Sequence, residues 1–381
     1  MKKLIRITTV PNSLERLLEH QLGYMQQYYA VTAISSNAER LQQVSEKEGV
    51  SVYAVELTRQ ITPFADLKAL YKLYKYLRKE KPAIVHTHTP KAGTIGMLAA
   101  FLAGVPHRLH TVAGLPLLES RGRKRTLLNF VEKLTYACST KVYPNSHALS
   151  DIIVKNGFCK KGKVKVIGNG SSNGINTARF NPALYAAEHK AALRNELQIP
   201  ENALVFIYVG RLVKDKGINE LVSAFKTVNQ LYPHTRLILV GVQEPELDPL
   251  APHTLAEINS NTHIISTGFQ ADVRPYFAIS DVLTFPSYRE GFPNVVMQAG
   301  AMGLPCIVTD INGCNEIITA HVNGLIIPVK DSAALCAAML SLLVNKEVMQ
   351  KLQANARAII VEKYEQQLVW DALLEEYKAL A

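Results

Sequence analysis

Short apolar segments with strand character alternate with helix-like segments along all 381 residues. The strongest helical pattern covers residues 64–79, where apolar side chains recur at helical spacing beside a basic face. A strand-like run at 83–86 and a second helix-like stretch at 92–103 follow it. Strands separated by helices form βαβ units with parallel pairing. The alternation therefore predicts an α/β fold with mostly parallel sheets.

The alternating pattern occurs twice. The chain is too long for one ordinary core and suits two, and a stretch containing Asn, Gly and Pro at 173–191 separates the two halves. We predict an N-terminal unit at 1–180, a C-terminal unit at 181–362, and a closing amphipathic segment at 363–381 that is a candidate to cross back to the first unit. The predicted elements include strands at 3–10, 164–167, Leu204–Val209 and Val282–Phe285 and helices at 14–27 and Ile218–Leu231.

The net charge of +10 is unevenly distributed. Residues 1–180 hold 27 Lys and Arg against 11 Asp and Glu, whereas residues 181–381 hold 15 against 21. A basic half of this kind is attracted to a polyanion, such as an anionic membrane surface, a lipid diphosphate or nucleic acid, or is a basic face exposed to solvent. The sequence has no nucleic-acid-binding motif, so we expect no nucleic-acid partner.

Five scattered cysteines form no C-x-x-C pair, which favours reduced, mostly buried thiols, a cytoplasmic setting and no zinc site. No apolar run approaches the roughly 18–20 residues that span a bilayer. The first ten residues, MKKLIRITTV, are typical of a strand rather than of a signal peptide. We therefore expect a protein without a membrane-spanning helix.

The segment 287–305, SYREGFPNVVMQAGAMGLP, contains an acidic turn followed by a helix. Amide groups at a helix start are unpaired and suit an anionic or hydroxyl-rich ligand. The carboxylate of Glu290 can accept hydrogen bonds from sugar hydroxyls in the same place. This segment therefore predicts a ligand site at the end of a strand.

A second segment with site character is 209–217, VGRLVKDKG. A strand ends at Gly210, and the cations Arg211 and Lys216 follow on the next loop. Two cations beside a glycine can hold and neutralise a diphosphate leaving group. The alternative is a basic loop that is simply solvated. Both segments follow strands, whose carboxyl ends share one edge of a parallel sheet, so we expect them to border one site.

Together these segments resemble the retaining nucleotide-sugar glycosyltransferases of family 4, whose signature is Glu-x7-Glu. The resemblance covers most of residues 195–345, and the N-terminal half matches more loosely. It implies a GT-B fold with two facing Rossmann-like domains, a donor site in the second and an acceptor site in the first. It also implies no cofactor and no metal, in keeping with the lack of an Asp-x-Asp sequence.

By this resemblance, Glu290, Arg211 and Lys216 act on the donor sugar and its diphosphate. The expected donor-binding residues are Gly210, Gly291, Phe292, Pro293, Asn294 and Gln298, with Phe269 as a weaker candidate for the base. Gln298 stands where the family has its second glutamate. A neutral amide forfeits a charge-assisted bond worth about 1 kcal/mol, so we expect weaker donor binding with the chemistry retained.

The segments 86–93, HTHTPKAG, and 110–116, HTVAGLP, resemble a capsule and lipopolysaccharide subgroup of the family. His88 is the candidate for a catalytic polar group facing the cleft, with a histidine satisfied by backbone groups as the alternative. His110 is expected to be structural. Ala113 stands where many relatives carry a histidine, so that role does not transfer.

Two further features of the first half concern the acceptor and the membrane. Ser13 or Asn12 is expected to cap the next helix, with acceptor binding by Ser13 as the alternative. Arg121, Arg123, Lys124 and Arg125 are expected to form a basic loop. Contact with anionic lipid or a lipid-linked acceptor is favoured over a solvated charge run.

The resemblance predicts a retaining glycosyltransferase, cytoplasmic and peripheral on the inner face of the plasma membrane. It would transfer a hexose or N-acetylhexosamine from a nucleotide diphosphate sugar, with UDP as the expected nucleotide, to a polyprenyl-diphosphate-linked glycan in capsule or surface polysaccharide synthesis. The alternatives are a non-catalytic GT-B scaffold, suggested by Gln298 and Ala113, and a GT-B-fold epimerase or phosphorylase.

Overall fold

A computed structural model describes residues 1–58, 60, 62–115, 117 and 122–380. The chain forms two compact units. The first contains Met1–Gly174 and Gln366–Ala381, and the second contains Ile175–Glu365. The division falls after Gly174, whereas the sequence analysis placed the boundary at residue 180.

The first unit is an alternation of strands and helices. Its strands are Lys3–Ile7 (β1), Ala30–Ser35 (β2), Ser51–Ala54 (β3), Ile84–His88 (β4), His107–Val112 (β5) and Lys141–Pro144 (β6). Its helices are Pro11–Leu17 (α1), Gln21–Gln26 (α2), Ala38–Glu48 (α3), Pro63–Glu80 (α4), Pro90–Leu102 (α5), Gly122–Cys138 (α6) and His147–Lys155 (α7).

All strands of the first sheet are parallel, in the order β3-β2-β1-β4-β5-β6. Side chains alternate between its faces, so neighbouring residues enter different cores. Leu4 joins the core under α1, α2 and α3, and Ile5 joins the core under α4 and α5. The helices α4, α5 and α6 pack side by side on this second face.

The second unit repeats the pattern. Its strands are Leu204–Val209 (β7), Thr235–Val240 (β8), Ile264–Gly268 (β9), Val282–Phe285 (β10), Cys306–Thr309 (β11) and Gly324–Ile327 (β12). Its helices are Ala187–Glu196 (α8), Ile218–Leu231 (α9), Pro252–Ser260 (α10), Arg274–Ala278 (α11), Asn294–Ala301 (α12), Cys314–Ile317 (α13), Ser332–Val344 (α14) and Lys346–Tyr364 (α15). The sheet is again parallel, in the order β12-β11-β10-β7-β8-β9, and one apolar core surrounds it.

The last helix, Gln366–Leu380 (α16), belongs to the first unit. Its polar side chains bind that unit at several points. Trp370 Nε1 donates to Asn173 Oδ1 at 2.7 Å, and Glu376 Oε1 accepts from Tyr143 Oη at 3.1 Å. Leu373 and Tyr377 pack into the core beneath α1 and α2. The chain therefore leaves the first unit, builds the second and returns.

The predicted fold class is confirmed: both units are doubly wound, Rossmann-like α/β structures. Two predicted strands and one predicted helix differ from the structure. The strand predicted at 3–10 ends at Ile7, and the one at 164–167 is reduced to a single bridge between Val142 and Val164. The helix predicted at 14–27 is two helices, separated at His20 with a φ of 63°.

Among the described helices, none is by itself long and apolar enough to cross a membrane. The pair α14 and α15 meets the length and composition criteria only jointly, and it is bent by 98°.

Candidate functional site

The second sheet changes direction between β7 and β10. From β7, the strands β8 and β9 extend the sheet one way, and β10, β11 and β12 extend it the other way. The loops that follow two such neighbouring strands diverge and leave a crevice at their carboxyl ends, where open α/β sheets bind ligands. Here these loops are residues 210–217 after β7 and 286–293 after β10. They are the two segments that the sequence predicted to border one site.

The first loop is held by a buried tyrosine. The Oη of Tyr208, a fully buried residue of β7, donates to the carbonyl oxygen of Arg211 at 3.0 Å. Burial raises the pKa of Tyr208 well above its ordinary value, with Glu290 and Asp215 adding to the effect, so the phenol remains a neutral donor. The Arg211 guanidinium is half exposed, and its Nη1 donates to Glu244 Oε2 at 2.7 Å.

Gly217 brings the two loops together. It has a φ of +71°, and a Cβ built there would lie 2.1 Å from the carbonyl oxygen of Pro286. Only glycine adopts this conformation and tolerates this approach at little cost. The start of α9 is therefore pressed against the loop after β10, with Lys216 directly beside it.

Lys216 and Glu290 form an ion pair across this contact. Lys216 Nζ lies 2.5 Å from Glu290 Oε1, and both side chains are largely buried, with exposed fractions of 16% and 17%. Ser287 Oγ also donates to Glu290 Oε1, at 3.0 Å. The carboxylate is thus held in one orientation at the carboxyl end of β10, with a cation in contact.

A second set of contacts joins the same two loops. Arg289 Nη2 donates to Asp215 Oδ2 at 2.6 Å, and the amide of Tyr288 donates to the carbonyl oxygen of Asp215 at 2.9 Å. Tyr288 Oη donates to Glu220 Oε1, at 2.7 Å, on the first turn of α9. The two loops are therefore connected by side-chain and backbone contacts in addition to the Lys216–Glu290 pair.

The loop after β11 contacts the backbone of the acidic turn at Glu290 and Gly291. Asn312 Nδ2 donates to the carbonyl oxygen of Glu290 at 2.6 Å and to that of Gly291 at 3.3 Å. Gly313, with a φ of +80°, lies so close that a Cβ there would be 2.4 Å from the Gly291 oxygen. These contacts fix the backbone that leads into α12.

The sequence analysis gave no role to Ser287, Asn312 or Asp215. Ser287 lies in the quoted motif, three residues before Glu290, and Asn312 precedes Gly313 in the loop after β11. A polar residue beside a glycine at the end of a strand was the available signal. Its partner depends on which strands are neighbours, and that is set by the sheet order.

The remaining predicted donor residues occupy different environments. Asn294 is exposed on the first turn of α12, and Gln298 is half-buried on the next turn. Phe292 is buried and its ring packs against Tyr364 at 5.5 Å between centroids, while Pro293 is also buried. Phe292 is therefore a core side chain, and only its backbone lies in the turn. Phe269 is 63% exposed, after the edge strand β9.

The two loops carry two cations and a carboxylate at the carboxyl ends of β7 and β10. A half-exposed guanidinium and a largely buried ammonium lie on one loop, and an oriented carboxylate lies on the next. The cations can stabilise a phosphate dianion. The carboxylate and the turn amides before α12 can take sugar hydroxyls. Among the described residues, no group of three or more His, Cys, Asp and Glu is arranged to hold a metal ion.

His88, the predicted catalytic group of the first unit, is 3% exposed and hydrogen-bonded within the unit. Its Nε2 lies 2.9 Å from Nη2 of Arg6, which is fully buried on β1 and also donates to Gln21 Oε1 at 2.6 Å. Burial, with Arg6 and His110 adding to it, lowers the pKa of His88 well below its ordinary value, so the ring is neutral. The structure places His88 in a buried polar cluster.

Two expectations about the first unit are wrong. Ser13 and Asn12 do not cap α1, because the helix begins earlier, with Pro11 in its first turn and Val10 at the N-cap position. Arg123, Lys124 and Arg125 are not in a loop but in the first turn of α6. Arg125 Nη1 donates to the carbonyl oxygen of Leu117 at 2.7 Å, while Arg123 and Lys124 are exposed. Arg121 lies outside the described residues.

Two protein-family models match this chain, one in each half. Residues 189–359 match the family model of glycosyl transferases group 1, and residues 16–170 match that of a glycosyl transferase 4-like domain. The chain is 30% identical over 380 residues to CapM, a capsular polysaccharide biosynthesis glycosyltransferase of Staphylococcus aureus. The match covers 99% of this chain and 97% of CapM.

A second relative is the UDP-Gal:α-D-GlcNAc-diphosphoundecaprenol α-1,3-galactosyltransferase of Escherichia coli, 32% identical over 81% of this chain and 78% of the relative. A third, from Campylobacter jejuni, is N,N′-diacetylbacillosaminyl-diphospho-undecaprenol α-1,3-N-acetylgalactosaminyltransferase, 27% identical over 86% of each chain.

Among solved structures, Anabaena HepE in complex with UDP and glucose superposes with a TM-score of 0.83 at 18% identity, covering 100% of both chains. That likeness concerns the fold. Taken with the full-length match to CapM and the two family models, it shows that this chain belongs to the family 4 GT-B glycosyltransferases.

Proposed function

We propose that this glycosyltransferase is a retaining, metal-independent enzyme that uses a UDP-linked hexose or N-acetylhexosamine as donor. The observation that carries the proposal is the Lys216–Glu290 pair at the switch point of the second sheet. In this proposal Lys216 binds the diphosphate and Glu290 accepts hydrogen bonds from sugar hydroxyls, and both lie at the strand ends where ligands bind. The choice of UDP is supported by the galactosyltransferase relative and by HepE, both of which are named with UDP.

In the proposed reaction, the bond between the anomeric carbon and the diphosphate oxygen breaks, and a bond to the acceptor hydroxyl oxygen forms on the same face. The acceptor proton goes to a phosphate oxygen of the departing UDP, which acts as the base. Arg211 and Lys216 stabilise the negative charge that develops on that leaving group. Two fixed cations supply the stabilisation that a metal ion gives elsewhere.

Glu290 and the turn before α12 position the donor sugar. The Glu290 carboxylate accepts from sugar hydroxyls, and the amides of residues 291–294 bind oxygens of the sugar or phosphate. Gln298, on the next turn of α12, takes a ribose hydroxyl through its amide oxygen. The Asn312 contacts hold the turn in this position before the donor arrives, and such preorganisation makes the binding interactions effective.

The proposed acceptor is a polyprenyl-diphosphate-linked glycan of capsule or surface polysaccharide synthesis. The support is the full-length likeness to CapM and the diphosphoundecaprenol acceptors in the names of two relatives. An acceptor with a polyprenyl tail resides in a membrane, so the enzyme works as a peripheral protein on the inner face of the plasma membrane.

The test of the donor site is thermal stabilisation by UDP, GDP, ADP and CMP. Binding to the folded state raises stability by RT ln(1 + [L]/Kd), so the melting temperature reports the preferred base. We expect UDP to give the largest shift, Arg211→Ala to abolish it, and the exposed control Lys346→Ala to retain it. A larger shift with another nucleotide, or none with any, would overturn the UDP assignment.

Retention is tested separately on the product. With donor and a polyprenyl-diphosphate glycan, NMR coupling of the new anomeric proton gives its configuration. An α-linked UDP-sugar is expected to yield an α-linked product, and activity is expected to survive exhaustive treatment with EDTA. A β-linked product, or loss of turnover that Mg²⁺ restores, would contradict the proposal.

A further inference from the structure

One face of the first unit exposes large apolar side chains. On α4, Phe64 is 92% exposed, Leu67 64% and Tyr71 60%. On α6, Phe130 is 64% exposed and Leu127 47%. Isolated exposed apolar residues are common in soluble proteins, but a group on two helices of the same layer marks a binding surface. We call these five residues the apolar group.

The helices that carry the apolar group form one continuous layer. Asp66 of α4 forms an ion pair with Lys91 of α5, and Thr135 of α6 donates to Thr94 of α5 at 3.1 Å. The inner sides of the layer are buried, for example at Leu73 and Leu77 of α4. The apolar group therefore lies on the outer side of α4 and α6, with α5 between them.

The same outer side is strongly basic. The exposed cations of the layer are Lys68, Lys72, Lys75, Arg78 and Lys79 on α4 and Arg123, Lys124 and Lys133 on α6. On α4 the apolar residues occupy the first half and most of the cations the second. Lys75 Nζ lies 5.5 Å from the centre of the Tyr71 ring, so cation and aromatic side chain adjoin on the outer side.

The acidic residues of the layer do not offset these cations. The three helices contain only Asp66, Glu80 and Glu132. Asp66 is paired with Lys91, and Glu80 Oε2 lies 2.8 Å from Lys3 Nζ. Burial raises the pKa of Glu132, whose side chain also contacts Tyr136. The charge presented outward is therefore positive across both helices.

From this arrangement we infer that the outer side of α4 and α6 docks on an anionic lipid bilayer, with the apolar group inserted among the lipids and the cations against the headgroups. Exposed aromatic and aliphatic side chains flanked by Lys and Arg match the chemistry of a bilayer interface, apolar inside and negatively charged at its edge. This surface is larger than the basic segment 121–125, for which the sequence analysis favoured contact with anionic lipid or a lipid-linked acceptor. The apolar group was not part of that prediction.

The inference rests on the proposed function, because a lipid-linked acceptor requires the enzyme at a membrane. The two are nevertheless separable. Lipid binding is a property of the first unit's surface, whereas donor binding is a property of loops in the second unit.

The experiment is flotation of the full-length protein with vesicles of phosphatidylglycerol and phosphatidylcholine, and with vesicles of phosphatidylcholine alone. The wild type is expected to float with the mixed vesicles and to be released from them by high salt. Its binding to the neutral vesicles is expected to be at least tenfold weaker, because the attraction of several cations to the anionic headgroups is lost. Phe64→Ser and Phe130→Ser are each expected to weaken partitioning about tenfold, and the double variant about a hundredfold.

The matched control is Leu231→Ser with Val344→Ser, two residues of the second unit that are each 61% exposed. This pair removes comparable exposed apolar surface and is expected to leave partitioning within about twofold of the wild type. For the charges, Lys68→Gln with Arg123→Gln is expected to weaken binding to mixed vesicles about fivefold per cation removed. Lys346→Gln with Lys351→Gln is the matched charge control.

Nucleotide-induced thermal stabilisation is measured on every variant, so that a folding defect is recognised. A wild type that does not float with the mixed vesicles overturns the surface. So does a Phe64→Ser and Phe130→Ser variant that floats as well as the wild type, which would point to a protein partner for these residues. A protein that floats as expected but is stabilised by no nucleotide would instead contradict the proposed function, and the inferred lipid-binding surface would remain supported.

Discussion

Lys216 Nζ and Glu290 Oε1 lie 2.5 Å apart, one on the loop after β7 and the other on the loop after β10. The cation proposed to bind the diphosphate is thus paired with the carboxylate proposed to bind the sugar. A diphosphate that binds Lys216 competes with Glu290 for the same ammonium. On the proposed assignment, an incoming donor takes Lys216 away from Glu290 and leaves the carboxylate available for sugar hydroxyls.

This competition predicts an unusual result for Glu290→Gln. The variant removes the competing charge and its repulsion of the phosphates, so UDP is expected to bind about fivefold more tightly, by about 1 kcal/mol. Turnover is expected to fall about 100-fold, because the sugar loses a charge-assisted contact that orients it. Calorimetry with UDP and a turnover assay measure the two effects. Equal or weaker UDP binding would contradict the competition.

Removal of either cation, Arg211 or Lys216, is expected to lower turnover. Arg211→Ala and Lys216→Ala are each expected to lower kcat about 100-fold, since each removes a charge proposed to stabilise the leaving diphosphate in the transition state. Steady-state kinetics on a lipid-linked acceptor provides the measurement. Lys346→Ala, an exposed residue at the start of α15, is the control and should retain wild-type turnover. Turnover of the three variants at the same level would remove the phosphate-binding role.

Replacement of the Gln298 amide by a carboxylate is expected to strengthen UDP binding. In Gln298→Glu, a carboxylate can accept from two vicinal ribose hydroxyls, whereas the amide accepts only through its oxygen. We expect UDP to bind about fivefold more tightly. Gln350→Glu, at an exposed position of α15, controls for the added charge. An unchanged or larger Kd for UDP in Gln298→Glu would show that the side chain does not contact the ribose.

Gly217 joins the loops after β7 and β10, and its substitution is expected to cost much stability. An added Cβ would meet the Pro286 oxygen at 2.1 Å in a left-handed conformation, so Gly217→Ala is expected to lose about 3 kcal/mol or more. The matched control is Gly303→Ala in the same unit, with a φ of +85° and nothing within 4 Å. It carries the conformational cost alone, about 1 kcal/mol. Urea unfolding should separate the two variants; equal losses would mean that the loops move apart easily.

Sequence patterns predicted the second unit better than the first for a physical reason. Strands such as Leu204–Val209 and Val282–Phe285 are apolar runs that end at a glycine or proline, and the structure has the same bounds. The helix predicted at 14–27 failed because its apolar spacing continues across His20, where the backbone turns left-handed. Local patterns do not reveal such a break when apolar residues on both sides enter the same core.

The candidate site shows the same limit. Arg211, Lys216 and Glu290 follow strands and carry charge, so the sequence could select them. The contact of Asn312 with the Glu290 turn depends on β11 lying beside β10, and that neighbour relation is set by the whole sheet. Burial of His88 against Arg6 was equally hidden, since a histidine at a strand end has the same pattern whether it faces solvent or a buried cation.

The buried histidines of the first unit predict acid sensitivity. Burial lowers the pKa of His110 to about 4 from its ordinary value of 6.5, and His86 and His88 are shifted in the same direction, chiefly by burial. Below pH 6.5 these histidines bind protons in the unfolded chain, whereas in the folded chain His110 does not bind a proton until the pH falls to about 4. The free energy of unfolding therefore keeps its full value above pH 6.5 and decreases as the pH falls towards 4. For His110 alone the decrease is about 2 kcal/mol near pH 5.

Urea unfolding of the wild type at about pH 7.5 and about pH 5 measures this loss. His110 accepts or donates to Thr87 Oγ1 at 2.8 Å and packs against Gly93, whose Cβ would lie 2.3 Å from the ring. His110→Asn will be less stable at both pH values because it leaves a cavity, but its loss between them is expected to be about 2 kcal/mol smaller than that of the wild type. His189→Asn, at an exposed position, should keep the wild-type difference. An unchanged pH dependence in His110→Asn would mean that the folded protein accepts a proton on this ring, and the acid sensitivity would then belong to His86 and His88.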